Sequence, residues 1–223
     1  MTRRDRQRLC LAALAALAVS AACAVANAGE PVRYAIDPVH TRVVFEIDHA
    51  GFSKAIGTVS GSEGSLQFDV DDWSSAKLEV TVPMQRLDMG DSGWTASVFA
   101  PRFLDVKRYP QARFVSTRVE RREGNRGTLC GELTLHGTTR PLCMELVLNK
   151  IARYQLPPFR RTAGFSARTS IKRSDFGMKS WRSLVGDEVE LRIEAELVRR
   201  DDHDASAKPG HVPAETPDDE PAN

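Results

Sequence analysis

The residues with chemical potential fall in two places. Near the start, Asp37, His40, Asp48 and His49 precede Ser53, which supplies a nucleophile, two bases and two carboxylates. Further along, GELTLHGTTRPLCMEL, Gly131 to Leu146, brings His136, Arg140, two threonines and Cys143 close together. Nucleophilic catalysis needs a base within hydrogen-bond reach of the nucleophile and a third group orienting that base. Residues of opposite parity on a strand point to opposite faces, so His40 and His49 do not converge on one site. Each also stands beside a turn signal: His40 follows Asp37-Pro38, and His49 precedes Ala50-Gly51-Phe52. The sequence holds no Gly-x-Ser-x-Gly elbow, no phosphate-cradling glycine loop, no Cys/His pairs at zinc spacing and no Cys-x-x-Cys-His haem motif. An enzyme, a cofactor and a metal are therefore not expected.

The elements that carry these residues read as strands. Val43, Phe45 and Ile47 alternate with Arg42, Glu46 and Asp48, and Leu78, Val80 and Val82 alternate with Lys77, Glu79 and Thr81. The same period of two runs through Leu66, Phe68 and Val70, through Leu129, Leu133 and Leu135, and through Leu142 to Leu148. It continues through Phe165 to Ile171 and Val189 to Leu197. In the stretch after Ala112, Phe114 falls on one face and Val115 and Val119 on the other. Such alternation marks half-buried antiparallel strands. Two stretches break it: Asp88 to Pro110, where a short helix is expected near Trp94 to Phe99, and ARYQLPPFRR, whose prolines exclude a central strand. The expected fold is all-β: an eight-stranded antiparallel barrel with a short helical connection, closed so that no edge is left open. A barrel of this size is either filled by side chains or holds one small ligand. Small inward residues, Gly131, Ala167, Thr169 and Ala195, favour room for a guest.

The GELTLHGTTRPLCMEL stretch reads as a hairpin turning on Thr138-Thr139 between Gly137 and Arg140. Leu135 then faces Leu142, Leu133 faces Met144, and Cys130 faces Val147. That register leaves Cys130 and Cys143 four residues apart along the strands, ~13 Å, too far to bridge, so two unpaired thiols are expected. At the other strand end, IKRSDFGM and its neighbours carry Lys172, Arg173, Lys179 and Arg182, either a solvated basic loop or a site for an anionic head group.

The chain divides into a leader, 1–28, a folded domain, 29–200, and an acidic tail, 201–223. Four arginines, an apolar run and Ala26-Asn27-Ala28 describe a secretory signal peptide, which directs the protein to the periplasm. Arg3-Arg4 and Cys23 leave twin-arginine and lipoprotein leaders as alternatives. The tail holds seven acidic residues and one lysine and reads as disordered. The domain between keeps a formal charge of about +4, far from the footprint of a nucleic-acid binder.

Taken together, YAIDPVHTRVVFEIDHAGFSKAIGTVSGSEGSLQFD, RFLDVKRYPQARFVSTRVE, GELTLHGTTRPLCMEL, TAGFSARTSIKRSDFGM and VGDEVELRIEAEL resemble the YceI family, polyisoprenoid-binding or lipid-binding proteins, over roughly 33–200. The resemblance implies a lipocalin-like extended barrel, secretion to the bacterial periplasm, no catalysis, and an elongated apolar ligand such as a polyprenyl chain, an isoprenoid quinone or a fatty amide. Two connections depart from the family pattern. GWTASVFAPRFLDV lacks the histidine common there, and LPPFRRTAGF replaces a DPWGG-like stretch. A tunnel lined by Phe45, Ile47, Phe68, Val80, Phe114, Leu133, Phe165, Ile171 and Leu191 would hold such a ligand, with His40, His49, Lys172 and Arg173 as candidate head-group contacts. The implied partner is a long-chain isoprenoid or similar lipid, with transient contact to a membrane or membrane protein, and a homodimer as one oligomeric alternative. The competing readings are a quinone-linked redox accessory and a stress-response protein with an incidental cavity.

Overall fold

The computed structural model describes residues 30–200; the expected leader, 1–28, and tail, 201–223, lie outside the described residues. The strands are β1 (Val32–Ile36), β2 (Arg42–His49), β3 (Ser53–Val59), β4 (Glu63–Phe68), β5 (Lys77–Pro83), β6 (Leu87–Asp88), β7 (Gln111–Arg121), β8 (Arg126–Leu135), β9 (Thr138–Arg153), β10 (Arg161–Lys172) and β11 (Val185–Arg199). Helix α1 (Ser92–Phe99) starts on Asp91, whose side chain accepts from the Trp94 amide. All strands join one antiparallel sheet, in which β1, β4, β5, β7, β8, β9, β10 and β11 follow in order. β11 pairs back onto β1 and closes an eight-stranded barrel.

β2, β3 and β6 prolong this barrel rather than add to its ring. β11 pairs first with β2, from Ile47↔Val189 to Val43↔Ile193, and then with β1 at Ile36↔Leu197. β2 and β1 are thus two halves of one edge, broken between Ile36 and Arg42. β3 and β4 repeat the break around Ser60 to Ser62, and the Gly61 amide bonds the Pro38 carbonyl where the two breaks meet. The expected count of eight agrees with the ring, but its membership differs: β1 closes it, and β1 and β3 carry no strong alternation. In β3 the inward positions are Ala55, Gly57 and Val59, while the large Ile56 is exposed. This reverses the size pattern that marks a buried face.

Two further expectations are corrected by local geometry. β7 carries a bulge between Ser116 and Arg118, which restores Val119 to the face of Phe114. Phe114 and Val119 are both buried, at 7% and 4% exposure, rather than on opposite faces. The β8–β9 hairpin turns on His136-Gly137, not on the threonines, because both central residues have positive φ (50° and 75°) as a two-residue primed turn requires. A turn centred two residues earlier shifts every cross-strand partner by four. Leu135 therefore faces Thr138, Leu133 faces Arg140, and Cys130 faces Cys143. Those cysteines, expected as free thiols, form a disulfide with Cα atoms 4.0 Å apart. His136 holds the unusual φ because its Nδ1 lies 2.9 Å from the Phe176 carbonyl and its ring 4.5 Å from Tyr109.

The inward side chains form two clusters. One, at the end where β11 finishes, contains Tyr34, Phe68, Trp73, Phe114, Val119, Phe165 and Leu197. Trp73 closes that end, packed edge-on to Phe68 at 5.5 Å, with the Arg121 guanidinium over its other side. The second, at the opposite end, joins Leu87, Leu135, Phe176 and Met178 to Val98, Phe99 and Leu104 of α1 and its following segment. Outward positions are charged, and Lys54 bridges Glu46 and Glu190 across β3, β2 and β11. The wall is wet outside and apolar inside, the reverse of a porin-type membrane barrel.

Candidate functional site

The alternation that builds the strands also encloses a cavity of about 580 Å³ along the barrel. It runs from Phe68, Val119 and Leu129 above the Trp73 floor to Trp94, Trp181 and Leu184 at the opposite end. Along β11 the lining residues run from Val185 to Leu197, about 40 Å of strand, so the space is elongated.

All nine residues placed in the tunnel by alternation (Phe45, Ile47, Phe68, Val80, Phe114, Leu133, Phe165, Ile171 and Leu191) line this cavity. They converge because period-2 patterning fixes the face in every strand that contributes one. The expectation that Gly131 leaves empty room is corrected. A Cβ at Gly131 would stand 2.5 Å from the Phe114 ring and 2.3 Å from the Val115 carbonyl oxygen, so Phe114 already fills that space. Phe45 lies over Gly57 in the same way, 2.4 Å from where a Cβ would be. Ala167, Thr169 and Ala195 do face the cavity.

The four candidate head-group residues divide. His49 and Arg173 border the cavity, whereas His40 and Lys172 do not. His40 is on the outer Asp37–Thr41 turn, with Nδ1 2.9 Å from the Asp37 carboxylate. That hydrogen bond raises the imidazole pKa against a smaller opposing effect of burial. At Asp37 burial pushes the carboxyl up, but the His40 side chain and the His40 and Val39 amides outweigh it and hold it below its ordinary value. Lys172 is exposed on the end of β10.

Arg173 is 4% exposed, and its guanidinium is engaged with the backbone of the loop leading into β11. Nε donates to the Gly186 carbonyl at 2.7 Å, and the two terminal nitrogens donate to the Met178 and Val185 carbonyls at 2.8 and 2.9 Å. Burial lowers its pKa, while Asp187 opposes that shift. The side chain clamps the 177–184 loop to the start of β11 at the cavity mouth. Periodicity does not find the residues that complete this mouth (Trp94, Arg102, Phe103, Trp181 and Leu184), because they stand on connections without alternation. Four of the five are large apolar residues outside the strands, and that is the only signal of them in the sequence.

Polar atoms on the wall are few. The Thr41 hydroxyl exchanges hydrogen bonds with the backbone of Glu196, and Thr169 donates to the Cys143 carbonyl. Among the described residues, no three His, Cys, Asp or Glu side chains gather as a metal site. The candidate cluster divides: His49 and Ser53 are opposite each other at the β2–β3 hairpin, while His40 stands on the outer turn, bonded to Asp37. What the site offers chemically is an elongated hydrocarbon surface.

Comparison with known proteins agrees with this geometry. The model of the YceI-like domain matches residues 34–197. Protein YceI of Salmonella arizonae is 34% identical over 161 residues, covering 72% of this chain and 83% of that protein, and the Salmonella paratyphi B protein matches to the same extent. Among solved structures, Burkholderia cenocepacia BcnA superposes with a TM-score of 0.65 at 24% identity, covering 72% of this chain and 98% of that one. A polyisoprenoid binding domain from Saccharophagus degradans, implicated in plant cell wall breakdown, gives 0.58 at 11% identity, covering 76% and 99%. With a closed eight-stranded barrel around an apolar cavity, the chain belongs to the YceI-like domain family.

Proposed function

We propose that the protein is a secreted, periplasmic carrier that holds one long apolar ligand inside its barrel and catalyses no reaction. The ligand class is a polyisoprenoid, an isoprenoid quinone or a fatty amide. The observation that carries this reading is the elongated cavity of about 580 Å³ whose wall is built almost wholly of inward-facing aliphatic and aromatic side chains. Moving apolar area out of water is worth about 25 cal/mol per Å², so a long chain gains much here without any directional contact. Phe45, Ile47, Phe68, Val80, Phe114, Leu133, Phe165, Ile171 and Leu191 supply that surface, and His49 and Arg173 are the candidate polar contacts near its mouth. Discrimination among chains differing by a methylene is weak in such a pocket. The Saccharophagus degradans domain, described as polyisoprenoid binding, supports the choice of ligand class. The leader and the Cys130–Cys143 disulfide support export to an oxidising compartment.

A titration tests this. Delipidated protein is mixed with a long-chain isoprenoid quinone, and the emission of Trp94 and Trp181 at the mouth is followed. Saturable quenching at one ligand per chain is expected. Linear, unsaturable quenching equal to that of free tryptophan would overturn the reading.

A further inference from the structure

The cavity meets the surface where three segments join. The Ala50 amide at the β2–β3 turn donates to the Leu184 carbonyl at 2.6 Å. Trp181 packs edge-on against Phe103 at 5.9 Å, and the Arg102 guanidinium lies 5.1 Å over the Trp181 ring. His49 and Trp94 are 5.6 Å apart. These residues border the cavity, so together they form its rim.

The outer side of the rim is apolar. Phe52, on the turn beside Gly51, is 92% exposed, and Trp181 and Leu184 are about half exposed. Single exposed apolar residues are ordinary; several on adjoining segments around one opening mark an interaction surface. Basic side chains flank them. Arg102, Lys107, Arg108, Lys179 and Arg182 are exposed in the rim segments 100–110 and 177–184, against Asp105 there and Asp48, Asp91 and Asp187 on the adjoining elements. Aromatic and aliphatic side chains interleaved with lysine and arginine fit the headgroup boundary of an anionic bilayer, where rings enter the interface and cations meet lipid charge.

We infer that the mouth rim, led by Phe52, Trp181 and Leu184 and flanked by basic residues, docks on an anionic lipid bilayer. Docked there, the cavity opens onto lipid, and a water-insoluble chain passes between bilayer and barrel without crossing bulk water. The purpose, though not the docking, rests on the ligand reading above. A second exposed apolar loop, with Tyr154, Leu156 and Phe159 beside Arg153, Arg160 and Arg161, lies at the floor end; none of those residues borders the main cavity. It serves as the internal control.

The test is flotation of the purified full-length secreted protein with vesicles of phosphatidylcholine alone or with one-third phosphatidylglycerol, at low and high salt. Expected is recovery with the phosphatidylglycerol vesicles at low salt, falling at least fivefold at high salt. Phe52→Asp and Leu184→Asp each lower recovery at least tenfold, whereas Leu156→Asp leaves it unchanged. A blue shift of tryptophan emission on adding the same vesicles gives a second readout on the unmutated chain. No flotation, loss in Leu156→Asp but not in Phe52→Asp, or a Phe52-dependent dimer that ignores vesicles would each overturn the proposal. Phe52 does not line the cavity, so Phe52→Asp protein keeps its bound ligand. Flotation by protein that takes up no isoprenoid would support docking while removing the ligand reading, and the converse would do the opposite.

Discussion

At the residue scale, Arg173 shows how a charged side chain in an apolar barrel is accommodated. Its three donations to the Met178, Val185 and Gly186 carbonyls satisfy one loop carbonyl and two at the start of β11, where the pairing with β2 is interrupted between Val185 and Val189. Removing the guanidinium leaves those acceptors without partners, so Arg173→Met should destabilise the protein by about 2–4 kcal/mol, with Arg173→Lys recovering only part. Urea unfolding measures this, and an unchanged midpoint in Arg173→Met contradicts the clamp. Asp37 and His40 predict a pH dependence. The raised imidazole contributes stability that is full below its ordinary value and is lost as pH rises through the raised one. The lowered carboxyl contributes above its ordinary value and loses this as pH falls through the lowered one. The penalty of His40→Ala should therefore be largest near about pH 5 and fall as pH rises through the raised imidazole value, and it should shrink in salt because the pair is exposed. A penalty that grows with pH would contradict the assignment. The nine tunnel residues were legible in the sequence because each stands in an alternating strand. Arg173 was legible only as a basic residue at a strand end, since its carbonyl partners come from a loop and from the irregular start of β11, neither of which carries a periodic signal.

At the element scale, the β8–β9 hairpin illustrates what periodicity leaves undetermined. Alternation fixes the face of Leu133 and Leu142 but not which residues turn. A turn at His136-Gly137 needs positive φ at a histidine, which the Phe176 carbonyl and the Tyr109 ring make tolerable from elsewhere in the fold. The register follows from that turn, and the Cys130–Cys143 bond follows from the register. Peptide mapping of the purified protein without reductant should recover Cys130 and Cys143 in one linked pair. Recovery of both as free thiols would return the hairpin to the threonine turn. Reduction should cost about 2–3 kcal/mol by freeing the loop in the unfolded chain. The β7 bulge and the breaks between β1 and β2 and between β3 and β4 were illegible for a related reason: one extra or missing residue reverses parity without altering composition.

At the scale of the whole molecule, a charged exterior and an apolar interior divide the protein between water and a hydrocarbon guest. The glycines do not make the space, since Phe45 and Phe114 fold over Gly57 and Gly131; it lies along the barrel between the Trp73 floor and the aromatic rim. If that space is free, a ring projected into it should be accepted. Ala167 faces it from the middle of β10, opposite Ile193 and Leu146. Ala167→Phe should then change stability by less than about 1 kcal/mol, whereas overpacking a filled core costs about 1–3 kcal/mol. The same variant should displace the guest. Native mass spectrometry of the unmutated protein, purified without detergent and set beside Ala167→Phe, shows whether the barrel holds a guest. Expected is a single bound mass in the unmutated protein, extractable into organic solvent as a long isoprenoid or fatty chain, and its absence from the variant. An unmutated chain carrying no bound mass, together with an Ala167→Phe protein destabilised by overpacking, would contradict it.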